Sequence, residues 1–236
     1  MKPSCASTGI YIGMRIEVPY FSQYDERIPE EWQGRSCGIV SLRMALGAVV
    51  PHKELPSPAE LIASGVSSGA YVAGIGWRHD GLMRLAELCG ARAHRSEFRI
   101  RKYAMPHVIS SWLNKAFFNY GVALLRSSVQ KGTVPIISVT VDGKSDTHLV
   151  PIVSWGKREG VLGFYYHEPA SQPEDNDALY RFMSIDELGR RWRRLAIFIG
   201  SSGREEKIQE QHVTLSATTM RTNPFKVRWL EVAWQV

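Results

Sequence analysis

The stretch that decides the fold is residues 20–46, YFSQYDERIPEEWQGRSCGIVSLRMAL. Its first half is polar and aromatic. From Cys37 onward apolar side chains recur at Ile39, Val40, Leu42, Met44, Ala45 and Leu46, and then at Val49. That spacing predicts an amphipathic helix over 37–49 with a wide buried face. Pro51 ends the pattern and Ser36 stands where an N-cap belongs. Cys37 therefore falls in the first helical turn, where N–H groups are unpaired and the backbone dipole is positive. A thiol placed there ionises more readily, and the thiolate is the nucleophilic form. The ordinary alternative for a lone cysteine is a small buried hydrophobe.

Working outward, residues 1–15 read as a loose N-terminal arm. Residues 16–24 read as a short extended segment, because Pro19 disfavours helix. Ser57-Pro58-Ala59-Glu60 has the form of a helix start with a capping box and Pro at the first position. The Gly- and Ser-rich run 64–76 reads as a loop. Residues 79–89 carry Leu82, Leu85, Ala86 and Cys89 at helical spacing, with Gly90 as the stop. Residues 106–130 read as helix, with a break expected near Asn119-Tyr120-Gly121. The pattern then changes. Runs at 134–141, 147–155, 161–167 and 195–199 are short, rich in β-branched or aromatic residues, and bounded by turn residues. A short helix starts at Ser184. Helices first and antiparallel strands after is an α+β order. Residues 201–236 read as an extension whose end, KVRWLEVAWQV, is apolar enough to dock on the core or on a partner chain. A homo-oligomer formed through that extension is one expectation.

With 44% hydrophobic and 22% charged residues in 236, the composition is that of an ordinary globular chain able to bury a core. No apolar stretch is long enough for a transmembrane helix, and the first residues lack the apolar centre of a secretory signal. Cys5, Cys37 and Cys89 are odd in number and lack metal-ligand or redox-motif spacing, so reduced thiols in a cytoplasmic protein are expected, with neither metal nor cofactor. The net charge of +6 comes in part from arginines at 190, 191, 193 and 194, and from Arg92, Arg95, Arg99, Arg101 and Lys102. These read as solvated faces. No nucleic-acid-binding module accompanies them, so nucleic acid is not an expected partner.

A cysteine nucleophile needs a base, a group to orient the base, and donors for the oxyanion. His148 opens a strand just after a turn. Glu168 follows the next strand, in His167-Glu168-Pro169, so the two strand ends fall near one another. Gln23 ends the extended segment before the cysteine, and its amide could donate beside the backbone N–H of Cys37. Each has an ordinary alternative: a loop histidine, a solvated turn acid, a surface glutamine. Two other strings carry less. Gly65-Val66-Ser67-Ser68-Gly69 matches a nucleophile elbow but lacks a preceding strand. Gly74-Ile75-Gly76 lacks the third glycine of a dinucleotide site.

The run Val18-Pro19-Tyr20-Phe21-Ser22-Gln23, followed by Ser36-Cys37-Gly38 and an aliphatic helix, resembles the papain-like peptidases of the bacteriocin-processing family and their stand-alone, C39-like relatives. The resemblance continues through Gly81-Leu82 and Leu85-Ala86, then Gly132-Thr133-Val134-Pro135-Ile136-Ile137. It closes with His148 and Glu168-Pro169-Ala170, covering roughly residues 16–200. It implies a papain-like fold and a peptide or protein substrate. It also implies Cys37 as nucleophile, His148 as general base and then acid, Glu168 orienting His148, and Gln23 serving the oxyanion. The family usually has Asp where this chain has Glu168, one methylene longer. A catalytically inactive peptide-binding or assembly module on the same fold is the alternative reading.

Overall fold

The computed structural model describes residues 10–51, 53–99, 107–141, 147–172 and 177–203. In chain order the elements are β1 (Ile10–Arg15), α1 (Glu30–Gln33), α2 (Cys37–Val49), α3 (Pro58–Ser67), β2 (Tyr71–Val72), β3 (Gly76–Trp77), α4 (His79–Leu88) and β4 (Ala91–Glu97). They continue with α5 (His107–Gln130), β5 (Val134–Thr140), β6 (Thr147–Arg158), β7 (Val161–Tyr166), β8 (Arg181–Ser184), α6 (Ile185–Arg191) and β9 (Trp192–Ser201). This is an α+β chain built on one antiparallel sheet in the order β4-β9-β5-β6-β7-β8. β6 is long enough to take two partners in succession. Residues 147–151 pair with β5, and residues 154–158 pair with β1.

Strand periodicity explains why both faces of this sheet are covered. Along β5, Val134 and Ile136 belong to one buried cluster, and Ile137 and Val139 to the other. Along β9, Ile197 and Ile199 face the first cluster, and Ala196 and Phe198 the second. Successive side chains of a strand point to opposite faces, so a strand buried on both reads as a continuous apolar run. The first cluster is completed by α2, α3 and α4, with Ile39, Leu42, Leu46 and Leu82 all inaccessible to solvent. The second takes Leu125 and Val129 of α5 and Leu188 of α6. Among the described residues, no helix is long and apolar enough to cross a membrane.

Several readings from sequence change here. Residues 10–15, expected to be part of an arm, form β1, because the second half of β6 offers its hydrogen-bonding edge there. The run 64–76 is not a single loop: α3 continues to Ser67, and Tyr71–Val72 pairs with Gly76–Trp77 as a hairpin. The elbow-like string thus sits at a helix end. α5 runs unbroken through Gly121, which lies where Trp192 and Phe98 press against the helix; a Cβ there would come within 2.6 Å of Trp192. That glycine serves close packing instead of a break. The arginine-rich face is also not wholly solvated. Arg191 bonds Glu187 at 2.6 Å, and Arg194 lies 4.0 Å over the Phe118 ring. The strands β4 and β8 and the helix α1 were not anticipated. Residues 204–236, with the apolar end of the extension, lie outside the described residues, as do Cys5, Arg101 and Lys102.

Candidate active site

The site forms at one end of the sheet, where α2 begins, β6 begins and β7 has just ended. Antiparallel pairing of β6 with β7 puts the first residues of one beside the last of the other, so His148 and Glu168 become neighbours. His148 Nε2 lies 2.5 Å from Glu168 Oε1, with both side chains about one-tenth exposed. Glu168 Oε1 also accepts the backbone N–H of Ala170 at 3.0 Å. A histidine with Nε2 engaged by a carboxylate presents Nδ1 on its other side, and there the Cys37 thiol hydrogen-bonds with the ring.

Two contacts press the start of α2 onto this end of the sheet. Ser41 Oγ donates to the Leu149 carbonyl at 2.8 Å. Gly38 lies so close to Trp77 and Leu149 that a Cβ would stand 2.9 Å from the Trp77 Cβ. Only glycine allows that approach without a shift. Trp77 in turn donates its indole N–H to the Arg35 carbonyl at 2.8 Å, fixing the residues that enter the helix.

Charge at the site follows from these partners. Burial alone would push the Cys37 thiol up. Its hydrogen bond to His148, the charge of that ring, and backbone N–H groups of Leu149 and Gly38 outweigh burial and bring it below the ordinary thiol value. Burial alone would push His148 down. Its bonds to Cys37 and Glu168 reverse this and raise it to about 10. Glu168, raised by burial, is brought below the usual carboxylate range by His148, the Ala170 N–H and Arg181. The three shifts describe one coupled unit, with the imidazole ring between the thiol and the carboxylate and each partner favouring the other's charged form. Cys89 behaves oppositely: it is buried, and burial pushes its thiol up.

Of the four residues singled out from sequence, Cys37, His148 and Glu168 are brought together directly. Gln23 reaches the same place through its backbone. Its N–H donates to the Pro169 carbonyl at 2.7 Å, Ser22 Oγ donates to the Ser171 carbonyl at 2.5 Å, and Tyr20 Oη donates to the Glu168 carbonyl at 3.1 Å. The segment carrying Gln23 is thus latched to the turn after Glu168. Gln23 as a whole is 4% exposed, and its Oε1 has no hydrogen-bond partner among the described residues. His167, beside Glu168, plays a structural part. Its Nε2 bonds the Val18 carbonyl at 3.1 Å, its Nδ1 accepts the Tyr180 N–H at 3.3 Å, and burial pushes it down to about 4. Sequence reasoning passed over two residues on the far side of Glu168, Arg181 and Asp177. Their only sequence signal is an acid four residues before an arginine, in a segment without clear periodicity.

No family model matches the chain, and no curated protein matches it. Among solved structures, the chain is similar to a double-glycine-motif protease from an AMS/PCAT transporter, in complex with the leader peptide: 16% identity, covering 79% of this chain and 94% of that one, with a TM-score of 0.45. It is also similar to the peptidase domain of Streptococcus ComA, a bifunctional ABC transporter of a quorum-sensing pathway: 18% identity, covering 77% and 96%, with a TM-score of 0.46.

Proposed function

We propose that this chain is a papain-like, cysteine-dependent hydrolase that cleaves an amide bond, a peptide bond first of all, through a thioester on Cys37. The observation that carries the reading is the continuous line from the Cys37 thiol, at a helix start, through His148 to Glu168. The resemblance of residues 16–200 to the bacteriocin-processing peptidases makes peptides the first substrates to test.

In this reading the Cys37 thiolate attacks the amide carbonyl carbon. The oxyanion that forms is met by the Cys37 backbone N–H and the Gln23 side-chain amide, the donors assigned to it in this reading. His148, already carrying a proton, gives it to the leaving nitrogen, and the amine departs. The neutral imidazole then takes a proton from water, which attacks the thioester carbonyl. Collapse of the second tetrahedral species releases the acid and restores the thiolate beside the imidazolium. Glu168 keeps the ring oriented throughout.

The test is incubation of the full chain with a pool of peptides, followed by mass spectrometry of the products and of acid-quenched protein. New peptide termini and an acyl adduct on Cys37, both absent from Cys37→Ala, are expected. Peptide capture without cleavage or adduct would overturn the hydrolase and leave the binding module.

A further inference from the structure

Glu168 has two carboxylate oxygens, and the triad occupies one. Oε1 takes both His148 Nε2 and the Ala170 N–H. Oε2 faces Arg181 Nη1 at 3.7 Å, an ion-pair distance just beyond a direct hydrogen bond. Arg181 is itself anchored. Its Nε donates to the Asp177 carbonyl at 2.9 Å and its Nη2 to Asp177 Oδ2 at 2.8 Å. The backbone holds the same two stretches together, since the Glu168 N–H donates to the Ala178 carbonyl at 2.9 Å and Arg181 is the cross-strand partner of Tyr166. The guanidinium fork is therefore fixed before it meets the carboxylate.

We infer that Arg181 is a positioning residue for the proposed hydrolase: it clamps the second oxygen of Glu168 and extends the line Cys37–His148–Glu168 outward to Arg181 and Asp177. The charges along that line alternate: thiolate, imidazolium, carboxylate, guanidinium, carboxylate. Glu168 makes such a clamp useful. A glutamate has one more rotatable bond than an aspartate, and without a hold on Oε2 its carboxylate can turn away from Nε2. Arg181 also balances the Glu168 charge. The groups facing this region are His148, Arg181 and Tyr166 around Glu168, Cys37 and Glu168 around His148, Asp177 and Tyr166 around Arg181, and Arg191 beside Tyr166. Removing the guanidinium takes positive charge away from the Glu168 end of the line and lowers the potential felt by both His148 and Cys37. Losing a proton from either group then becomes harder, so both transitions move to higher pH.

The inference rests on the proposed function, and its test separates the two. The rate of Cys37 alkylation by iodoacetamide, read from the labelled peptide, is measured against pH in low salt, with thermal melts to confirm folding. In Arg181→Met both inflections are expected to rise by about half a unit or more, and Arg181→Lys is expected to restore them. Arg181→Gln serves as a second neutral variant should Arg181→Met fail to fold. If the neutral variants slow alkylation without moving either inflection, Arg181 is an ordinary packing residue and the inference falls alone. If the wild type itself shows one inflection at the ordinary thiol position, the proposed function falls and takes this inference with it.

Discussion

Helices α2 and α3 each begin one residue after a serine, and the two serines do opposite things. Ser57 completes a capping box. Its hydroxyl accepts the Glu60 N–H, and the Glu60 carboxylate accepts the Ser57 N–H at 2.7 Å. Pro58 occupies the first helical position, so one more orphan N–H is absent altogether. Ser36 does none of this. Its backbone sits at φ −94°, ψ 8°, outside the extended region a cap needs, and its buried hydroxyl has no hydrogen-bond partner among the described residues. A cap consumes the N–H groups and partial positive charge of a helix start. In the proposed reaction a thiolate and, later, an oxyanion use them, and a side-chain cap would compete for the same groups. One helix start is closed by its own side chains, and the other keeps its first N–H groups free of a side-chain cap, as the proposed reaction requires.

The contrast can be attacked first at its largest effect. His148→Ala removes the imidazolium from the uncapped start and should leave the Cys37 thiol protonated near neutral pH. Its thiolate fraction would drop to a few per cent, and its alkylation rate by about tenfold or more, since a more basic thiolate is also a better nucleophile. An unchanged rate would mean the helix start alone activates the sulfur. Glu168→Gln is expected to do the same to a smaller extent, about three- to tenfold, because the ring stays while its charge partner goes. Ser57→Ala should cost about 1 kcal/mol of stability in denaturant titrations and leave Cys37 alkylation unchanged. Ser36→Ala, at the matching position, should change stability by less than about 0.5 kcal/mol, since no capping bond is lost. A cost equal to that of Ser57→Ala would dissolve the comparison.

The capping box also shows what was legible in the sequence. Ser57-Pro58-Ala59-Glu60 specifies its structure through side chains within one turn, so it could be read locally. α2 was legible for the same reason, as were β5, β6, β7 and the end of β9, whose apolar runs announce burial on both faces. β4 was not. Its sequence, ARAHRSE, places Ala91 inside and exposes Arg92 and Arg95 at the sheet edge. Edge strands carry charge and take their form from a partner far along the chain. β1 and β8 fail to show for the same reason, being short edge pairings to β6 and β7. At the site, residue types at the ends of elements pointed to Cys37, His148 and Glu168. The missing cap at Ser36 and the Arg181–Asp177 pair depend on tertiary contacts, on Trp77 and Leu149 pressing against Gly38 and on the turn that returns to Glu168. No local pattern encodes those.

The charge state of His148 has consequences of definite sign. Its proton is held up to about 10 in the folded protein, above the ordinary value near 6.5. What it contributes to stability is therefore fully present below pH 6.5 and is lost as pH rises through about 10. His167, held down to about 4, works the other way: its contribution is present above pH 6.5 and is lost as pH falls towards 4. Acid melts of His167→Gln, which lacks that loss, should show a flatter decline between these limits than the wild type.

The most direct measurement is the nitrogen NMR spectrum of labelled histidine in the full chain at about pH 8, with His148 assigned by comparison with His148→Ala. The account predicts a doubly protonated imidazolium for His148, giving up its proton only near pH 10 and becoming neutral at pH 8 when Cys37 is replaced by Ala. A neutral His148 at pH 8 in the wild type, unaffected by Cys37→Ala, would contradict it.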